Sequence, residues 1–253
     1  MKKSILITGC SSGLGLGLTN LYLSLGFNVY GISRNQPNIN NQNFKHLSFD
    51  LSDVRNIKNN CAEFIKNIKE IDVAYLNAGM LGEIKTLSEL SIDELNEVYN
   101  LNVYANKELL DILALIKTKT IIGISSGAAV NGSKGWASYC LSKTGINMLI
   151  NLYAKEMTNT ILLAVAPGVI ETPMTDYIRF EIDDNIFTSA KKLKNGLIQK
   201  PSEAAIKLNE VVEKIDKFES ALSKAIDKGI KQAGFQLLDI IRTKTQKGLD
   251  FRN

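Results

Sequence analysis

Short runs of apolar and β-branched residues alternate along the chain with longer stretches in which apolar residues return every three or four positions. The short runs predict buried strands, and the longer stretches predict helices. The predicted strands are SILIT (4–8), NVYGIS (28–33), HLSF (46–49), DVAYLN (72–77), TIIGISS (120–126) and ILLAVAP (161–167). The predicted helices lie within 13–26, 53–68, 91–116 and 135–157.

This alternation indicates a parallel sheet, because a right-handed crossover helix has to separate parallel neighbours. The strands are apolar throughout, which is typical of a sheet covered by helices on both faces. Ser91, with Glu94 three positions later, predicts the start of the third helix, and Gly26 predicts the end of the first. We therefore predict an α/β fold with a doubly wound parallel sheet of the Rossmann type.

The last third of the chain has a weaker pattern. Residues 169–200 are the least regular, a helix is predicted from about 202, and a Lys-rich helical pattern extends from about 218 to 247. This extension predicts a helix packed on its own subunit, with a strand in GFQLLDI (234–240) or a subunit-contact helix as alternatives; a membrane-surface helix is less favoured because acids accompany the lysines. No composition shift marks a second domain, so 1–253 is predicted to be one domain.

The composition narrows the possible functions. The net charge of +4 is spread along 253 residues, which disfavours nucleic acid as a partner. The apolar run near the amino terminus is too short for a signal peptide or a membrane span. Three cysteines without paired spacing and a single histidine, His46, predict a cytoplasmic protein without a metal site.

A glycine-rich loop follows the first strand. In ITGCSSGLGLG, Gly9, Gly13 and Gly15 lie between strand and helix, where an open parallel sheet binds nucleotides. Glycine allows a tight turn and close approach of the backbone to a pyrophosphate, whose charge a helix amino terminus favours. The loop therefore predicts a dinucleotide site.

The end of the second strand predicts which dinucleotide is used. An acid there would bind a ribose 2′-OH, whereas a cation would bind a 2′-phosphate. Ser33 and Arg34 occupy this position, and the next acid is Asp50. Since arginine binds phosphate bidentately, we predict NADP(H) over NAD(H). Arg34 as an ordinary loop residue, and Asp50 as a turn former instead of an adenine neighbour, remain alternatives.

Tyr139 and Lys143 lie four residues apart in ASYCLSK and would share one helical face. A phenol has an ordinary pKa of about 10, and an adjacent ammonium, helped by an oxidised nicotinamide, would lower it by roughly 1 to 3 units. Tyr139 could then exchange a proton with a carbonyl or an alcohol. Ser126, at the end of the fifth predicted strand, could hold the substrate oxygen.

Six segments, TGCSSGLG, LNAG, NLNVYA, SS, YCLSK and PGVIETPM, together resemble the successive signatures of the short-chain dehydrogenase/reductase family over about residues 4–175. The resemblance implies a catalytic tetrad of Asn102, Ser126, Tyr139 and Lys143. In it, Tyr139 is the acid/base, Lys143 also holds the nicotinamide ribose, and Asn102 supports a water-linked proton path. The implied cofactor residues are Thr8, Gly9, Ser11, Ser12, Gly13, Leu14, Gly15, Ser33, Arg34, Asp50, Leu51, Asn77, Ala78, Gly79, Tyr139, Lys143, Pro167, Gly168, Val169 and Thr172.

The predicted substrate is a small carbonyl compound or the corresponding alcohol. Trp136, Met80 and Leu81 lie beside site segments and suggest that it is apolar or aromatic. Apolar residues of 169–200 either form a lid that excludes water or pack against the domain: Met174, Tyr177, Ile178, Phe180 and Phe187.

The resemblance also implies a homodimer or homotetramer through the helices that begin near Ser91 and Trp136. Two other functions remain open: an NAD-dependent alcohol dehydrogenase, and a regulatory protein that senses a dinucleotide without turnover. Cys140, beside Tyr139, is either a thiol that controls activity or a small buried hydrophobe.

Overall fold

In a computed structural model that describes residues 2–227 and 249–250, seven parallel strands form one sheet in the order β3-β2-β1-β4-β5-β6-β7. The six predicted strands are present, each within two residues of its predicted ends, and the doubly wound fold is confirmed. The strands are β1 Ser4–Thr8, β2 Asn28–Ser33, β3 Phe44–Ser48, β4 Ile71–Leu76, β5 Thr118–Ile124, β6 Ile161–Ala166 and β7 Leu249–Asp250.

Helices cover both faces of the sheet. α1 and α8 pack on one face, whereas α2, α4 and α5 pack on the other. The buried cluster on each face combines apolar residues of the strands with the helix residues that recur at helical spacing. The helices are α1 Gly13–Ser24, α2 Ile57–Lys66, α3 Ile92–Tyr99, α4 Ala105–Leu113, α5 Ala137–Glu156, α6 Pro173–Phe180, α7 Thr188–Asn195 and α8 Pro201–Asp227.

The two predicted helix ends are confirmed. The Ser91 backbone N–H donates to Glu94 Oε2 at 2.9 Å, and the Glu94 N–H donates to Ser91 Oγ at 3.2 Å, which is a capping box. Gly26 follows α1 with φ +77°, a left-handed conformation that glycine adopts without strain.

The predicted helix over 91–116 is interrupted. A π-helical segment, Asn100–Tyr104, separates α3 from α4. Such segments are frequent at functional sites. Periodicity did not reveal it, because one extra residue in a turn barely alters the apolar pattern.

The region after β6 differs from the prediction. Residues 169–200 contain α6 and α7, and one continuous helix, α8, replaces the two separate helical patterns predicted there as far as Asp227. Residues 228–247 of the predicted extension, including the alternative strand at 234–240, lie outside the described residues. The short strand β7 was not predicted. Within the described part of the chain, no helix has the length and apolar character to cross a membrane.

The strand order positions the site. From β1 the sheet grows towards β2 and β3 on one side and towards β4, β5 and β6 on the other. Loops leave β1 and β4 in opposite directions, which opens a crevice at the carboxyl edge of the sheet.

Candidate active site

A cavity of about 760 Å³ lies at this carboxyl edge. Segments that follow β1, β2, β3, β4, β5 and β6 form one wall, and the α6–α7 region contributes to the other. Thr8, Gly15 and Asn102, although predicted as site residues, lie behind the wall. The other predicted site residues line the cavity: Gly9, Ser11, Ser12, Gly13, Leu14, Ser33, Arg34, Asp50, Leu51, Asn77, Ala78, Gly79, Ser126, Tyr139, Lys143, Pro167, Gly168, Val169 and Thr172.

The glycine loop can receive an anion. Gly13 has φ +49°, and a Cβ there would lie 2.8 Å from Thr172 Cγ2. A Cβ at Gly15 would lie 2.1 Å from the carbonyl oxygen of Gly9, so Gly15 allows α1 to pack on the loop. Ser12 precedes α1 without a capping hydrogen bond from its side chain. Among the described residues, the Ser12 side chain thus leaves the first N–H groups of α1 uncapped, and the loop fits the pyrophosphate of a dinucleotide.

Thr8 joins the loops after β1 and β4. Its Oγ1 accepts hydrogen bonds from the backbone N–H groups of Asn77 at 2.9 Å and Ala78 at 3.0 Å. The Asn77 side chain returns a hydrogen bond from Nδ2 to the Thr8 carbonyl at 2.9 Å. Thr8 is fully buried, so in this structure it shapes the wall from behind.

The hydroxyl of Ser33 is fully engaged within the protein. Its Oγ donates to the Asn35 carbonyl at 2.8 Å and lies 2.9 Å from His46 Nε2 and 3.2 Å from Cys10 Sγ. This series of hydrogen bonds connects the glycine loop, β2 and β3 beneath the part of the cavity that is predicted to hold the adenosine of the dinucleotide. The single histidine and one of the cysteines therefore have a place beside the site, which spacing alone did not indicate.

Arg34 and Asp50 lie at the mouth of the cavity. Ser48 Oγ donates a hydrogen bond to the Arg34 carbonyl oxygen at 2.7 Å, and Arg34 itself is exposed. Asp50 Oδ1 accepts from the backbone N–H of Ser52 at 2.9 Å and from its hydroxyl at 2.7 Å. Burial alone would raise the pKa of Asp50, but these bonds and the charge of Arg34 give a net lowering. The geometry matches the turn-forming alternative for Asp50.

Ser126, Tyr139 and Lys143 meet on the cavity wall. The Ser126 hydroxyl lies near enough to the Tyr139 phenol to act on its pKa, and it accepts a hydrogen bond from the Ala128 N–H at 3.1 Å. Lys143 Nζ lies 5.5 Å from the centre of the Tyr139 ring and donates to the Ile124 carbonyl at 2.7 Å. The three predicted side chains are thus brought together, with a phenol O–H and a serine O–H side by side.

Burial governs the ionisation of this group. Burial raises the pKa of the Tyr139 phenol above its ordinary value, and the nearby Ser126 hydroxyl offsets this only in part. Burial also lowers the pKa of Lys143 to about 8, and its ammonium is directed to the Ile124 carbonyl. Lys143 does not reverse the effect of burial at Tyr139. The predicted lowering of the Tyr139 pKa also invoked the charge of an oxidised nicotinamide, and it stays a prediction.

Asn102 connects two parts of the site instead of facing the cavity. Its Nδ2 donates to the Met80 carbonyl at 2.8 Å and to Ser142 Oγ at 2.9 Å, and its Oδ1 accepts from the Met80 N–H at 2.8 Å. Its own carbonyl accepts from Asn106 Nδ2 at 2.7 Å. Asn102 therefore holds the loop after β4 against α5, which carries Tyr139.

The second wall of the cavity is apolar. Leu81, Ile178 and Ala190 form a small buried cluster that packs against Trp136 and Tyr139. The Trp136 and Tyr139 rings meet edge to face, with their centres 6.2 Å apart. Met80, which was predicted beside the site together with Trp136 and Leu81, also lines the cavity.

The predicted lid residues divide into two groups. Ile178 and Met174 line the cavity, whereas Phe180 is 68% exposed and Tyr177 is 41% exposed. Phe187 packs on the turn before Trp136: a Cβ at Gly135, where φ is +87°, would lie 2.5 Å from its ring. Part of 169–200 thus lines the cavity and part packs on the domain, and a lid that excludes water stays a prediction.

Two positioning residues were missed by sequence reasoning. Gln199 donates from Nε2 to the carbonyl of Pro167, 32 residues earlier, and no local pattern signals such a contact. Thr175 forms a capping box with Thr172 at the start of α6. The signal for that helix was present in Thr172-Pro173-Met174-Thr175, because proline favours the first helical position.

The remaining candidate groups are the three cysteines and the side chains that could bind a metal. Cys10 and Cys61 are buried, and Cys140 is half-buried with its Sγ 4.0 Å from the Asn131 carbonyl oxygen. Among the residues that the structure describes, no group of three or more His, Cys, Asp or Glu side chains is placed to hold a metal.

Comparison with known proteins gives the following relatives. The sequence model described as short chain dehydrogenase matches residues 3–182. An uncharacterized oxidoreductase of Schizosaccharomyces pombe is 36% identical over 188 residues, covering 70% of this chain and 75% of the relative. A benzil reductase ((S)-benzoin forming) of Bacillus cereus is 32% identical over 203 residues, covering 70% and 79%. The fold is similar to that of 4-hydroxyisoleucine dehydrogenase complexed with NADH, with a TM-score of 0.72 at 23% identity, covering 83% of this chain and 91% of that one.

Proposed function

The chain belongs to the short-chain dehydrogenase/reductase family, and from this premise we propose that it reduces an apolar or aromatic carbonyl compound with NADP(H). It is an oxidoreductase of a family that uses NAD(P) dinucleotides. The observation that carries the proposal is that Ser126 and Tyr139 line one cavity, close to each other and opposite an apolar wall. A ketone oxygen would lie beside both hydroxyls, and its hydrocarbon part would contact the apolar wall.

The dinucleotide, when bound, supplies a hydride to the carbonyl carbon. Tyr139 donates its phenolic proton to the carbonyl oxygen, which completes the alcohol. Ser126 donates a hydrogen bond to the same oxygen and stabilises the charge that develops on it. Lys143, with a pKa of about 8, keeps most of its charge at neutral pH and favours the phenolate that remains. Asn102 positions α5 and the loop after β4.

The dinucleotide would be held mainly by backbone groups. The uncapped amino terminus of α1 would bind the pyrophosphate, and the segment Asn77–Gly79 would lie beside it. Pro167, Gly168 and Thr172 would surround the nicotinamide amide. Thr8 and Gly15 would support this site from behind the wall.

The preference for NADP(H) rests on the exposed Arg34 at the cavity mouth and on Asp50, whose carboxylate is occupied by Ser52. The test compares kcat/KM with NADPH and NADH for wild type and Arg34→Met. We expect wild type to prefer NADPH and the variant to lose about tenfold with NADPH alone, the order expected for a phosphate contact. A wild-type preference for NADH would favour the NAD-dependent alcohol dehydrogenase instead.

An aromatic diketone is the first substrate to test. Trp136, Leu81 and Ile178 offer an apolar surface, and one relative is named a benzil reductase. A panel of aromatic diketones, quinones, pterins and sugars, followed by NADPH oxidation, should give turnover with the aromatic diketones. Activity confined to sugars would overturn this substrate class.

A regulatory protein that senses a dinucleotide is the rival from another class. Such a protein has no need of a phenol and a serine hydroxyl paired on the wall of a cavity. Binding of NADPH without reduction of any compound in the panel would favour it.

We include a homo-oligomer in the proposal. Leu141, Met148 and Leu152 project from one side of α5 and are 46%, 56% and 49% exposed. An apolar stripe of this kind is typical of a subunit contact. Light scattering after gel filtration should give a dimer or tetramer, and Met148→Glu should shift it towards the monomer. A wild-type protein that is monomeric at micromolar concentration would contradict this part.

We also retain a cytoplasmic location. Cys10, Cys61 and Cys140 are all free thiols, which suits a reducing compartment. Fractionation of cells that express the tagged full chain tests this expectation, and recovery from a secreted fraction would contradict it.

A further inference from the structure

Gln199 joins the two ends of a segment that we define as the lid, residues 171–198, which contains α6 and α7. Its backbone N–H donates to the Val169 carbonyl at 3.0 Å, and its carbonyl accepts from the Glu171 N–H at 2.9 Å. These bonds form a short parallel bridge between Ile170 and Gln199. The lid is therefore closed at its base by one residue.

The side chain of Gln199 extends this contact to the cavity wall. Its Nε2 donates to the carbonyl of Pro167, and its Oε1 accepts from Lys207 Nζ at 2.9 Å. Gly168, with φ +85°, leaves room for it, since a Cβ there would lie 3.0 Å from Nε2. A carboxamide supplies the donor and the acceptor that this position requires, whereas a carboxylate supplies only acceptors.

The contact links two surfaces of the cavity. Pro167 and Gly168 line the side next to β6, and Ile178 and Leu193 of the lid line the apolar side. We propose that Gln199 is a positioning residue that holds the Pro167–Gly168 turn and the base of the lid in one arrangement. It acts on the bound dinucleotide only through that turn, and this part rests on the proposed function.

Trp136 provides a readout that does not depend on activity. It is the only tryptophan of the chain, and it packs against the buried cluster that includes Ile178 and Ala190 of the lid. Displacement of the lid would expose the indole ring. Quenching of its fluorescence by acrylamide therefore reports the position of the lid in the free protein.

The experiment compares Gln199→Leu and Gln199→Glu with Lys207→Met. Both Gln199 variants lose the donor to Pro167 and keep the backbone bridge, and the glutamate variant also keeps an acceptor for Lys207. Lys207→Met removes only the outer bond. For the two Gln199 variants, we expect a higher quenching constant and a rise in the dissociation constant of NADPH of roughly 3- to 10-fold, the effect of one lost hydrogen bond. Lys207→Met should stay within about twofold of wild type in the quenching constant and in the dissociation constant of NADPH.

Unchanged quenching and affinity in both Gln199 variants would overturn the proposal, and so would an equal effect of Lys207→Met. If Gln199→Leu does not fold, Gln199→Glu carries the same test with a side chain of matching size. Failure of wild type to bind NADPH would refute the proposed function instead, because the quenching comparison uses the free protein and stands apart from it.

Discussion

The two walls of the cavity are built in different ways. The sheet-side wall consists of loops that leave parallel strands, and buried polar side chains such as Thr8 and Asn102 fix their backbones. The lid-side wall consists of two short helices, and among the described residues they contribute two side chains, Ile178 and Ala190, to the small buried cluster that they form with Leu81 of the loop after β4. Gln199 closes its base.

This difference suggests a division of labour. In the proposed function, the sheet-side wall would carry the reacting hydroxyls and the dinucleotide loops, where small displacements are costly for chemistry. The lid-side wall would contact the part of the substrate that does not react and would have to admit it. A wall with few buried apolar contacts opens locally at low free-energy cost, which suits this role.

The largest effect should come from the reacting group of the sheet-side wall. Tyr139→Phe removes the proton donor, so turnover should fall roughly 10²- to 10⁴-fold. The dissociation constant of NADPH should stay within about twofold, because the ring remains. Tyr153→Phe is the matched control: its hydroxyl binds Asp111 at 2.5 Å, away from the cavity, and turnover should be unchanged. Normal turnover in Tyr139→Phe would refute the catalytic proposal.

The second prediction compares the same deletion beneath the sheet and in the lid. Ile65 on α2 and Ile178 on α6 are 0% and 2% exposed. Ile65→Ala should lower the free energy of unfolding by about 2–5 kcal/mol. Ile178→Ala should lower it by less, since the lid can open while the sheet persists, and should raise the KM for substrate several-fold. Urea denaturation and steady-state kinetics measure these effects. Equal losses of stability would remove the distinction between the walls.

A third prediction concerns the polar network of the sheet-side wall. Thr8→Val keeps the shape of the side chain but leaves the N–H groups of Asn77 and Ala78 without their acceptor. The free energy of unfolding should fall by about 1–3 kcal/mol. Thr160→Val, which removes one hydrogen bond to the Thr118 carbonyl, should cost less. The two urea midpoints give the comparison, and a larger loss in Thr160→Val would contradict it.

The last prediction is a dependence of stability on pH between about pH 8 and pH 10.5. The pKa of Lys143 is about 8 in the folded protein, below the ordinary value of 10.5. Between pH 8 and pH 10.5, Lys143 binds more protons in the unfolded chain than in the folded one. The free energy of unfolding therefore rises with pH over this range, and this gain is absent below about pH 8. The unfolding free energy of wild type minus that of Lys143→Met should therefore rise from about pH 8 to pH 10.5. A constant difference would contradict the buried position of the ammonium.

The sequence predicted best what is determined locally. The strands, the Ser91–Glu94 capping box and the glycine loop each depend on residues close together in the chain. Ser126, Tyr139 and Lys143 came from an order of motifs that the fold then brought to one edge of the sheet.

Contacts between distant segments could not be predicted in this way. Asn102 donates a hydrogen bond to Ser142, 40 residues later. It lies within a π-helical segment that the apolar periodicity of the sequence did not reveal. Gln199 reaches back to Pro167. The pKa of Tyr139 depends on how deeply the folded chain buries it, and spacing on a helix does not give depth.

The hydrogen-bonded chain of Cys10, Ser33 and His46 has a fixed direction. Ser33 has one hydroxyl hydrogen, and the Asn35 carbonyl can only accept it. Cys10 and His46 must therefore both donate, which assigns the hydrogen of the neutral His46 ring to Nε2 and keeps Cys10 as a thiol. Burial also raises the pKa of Cys10, in agreement with that assignment. One carbonyl in an exposed turn thus determines the tautomer of the chain's only histidine, while burial keeps Cys10 in its thiol form.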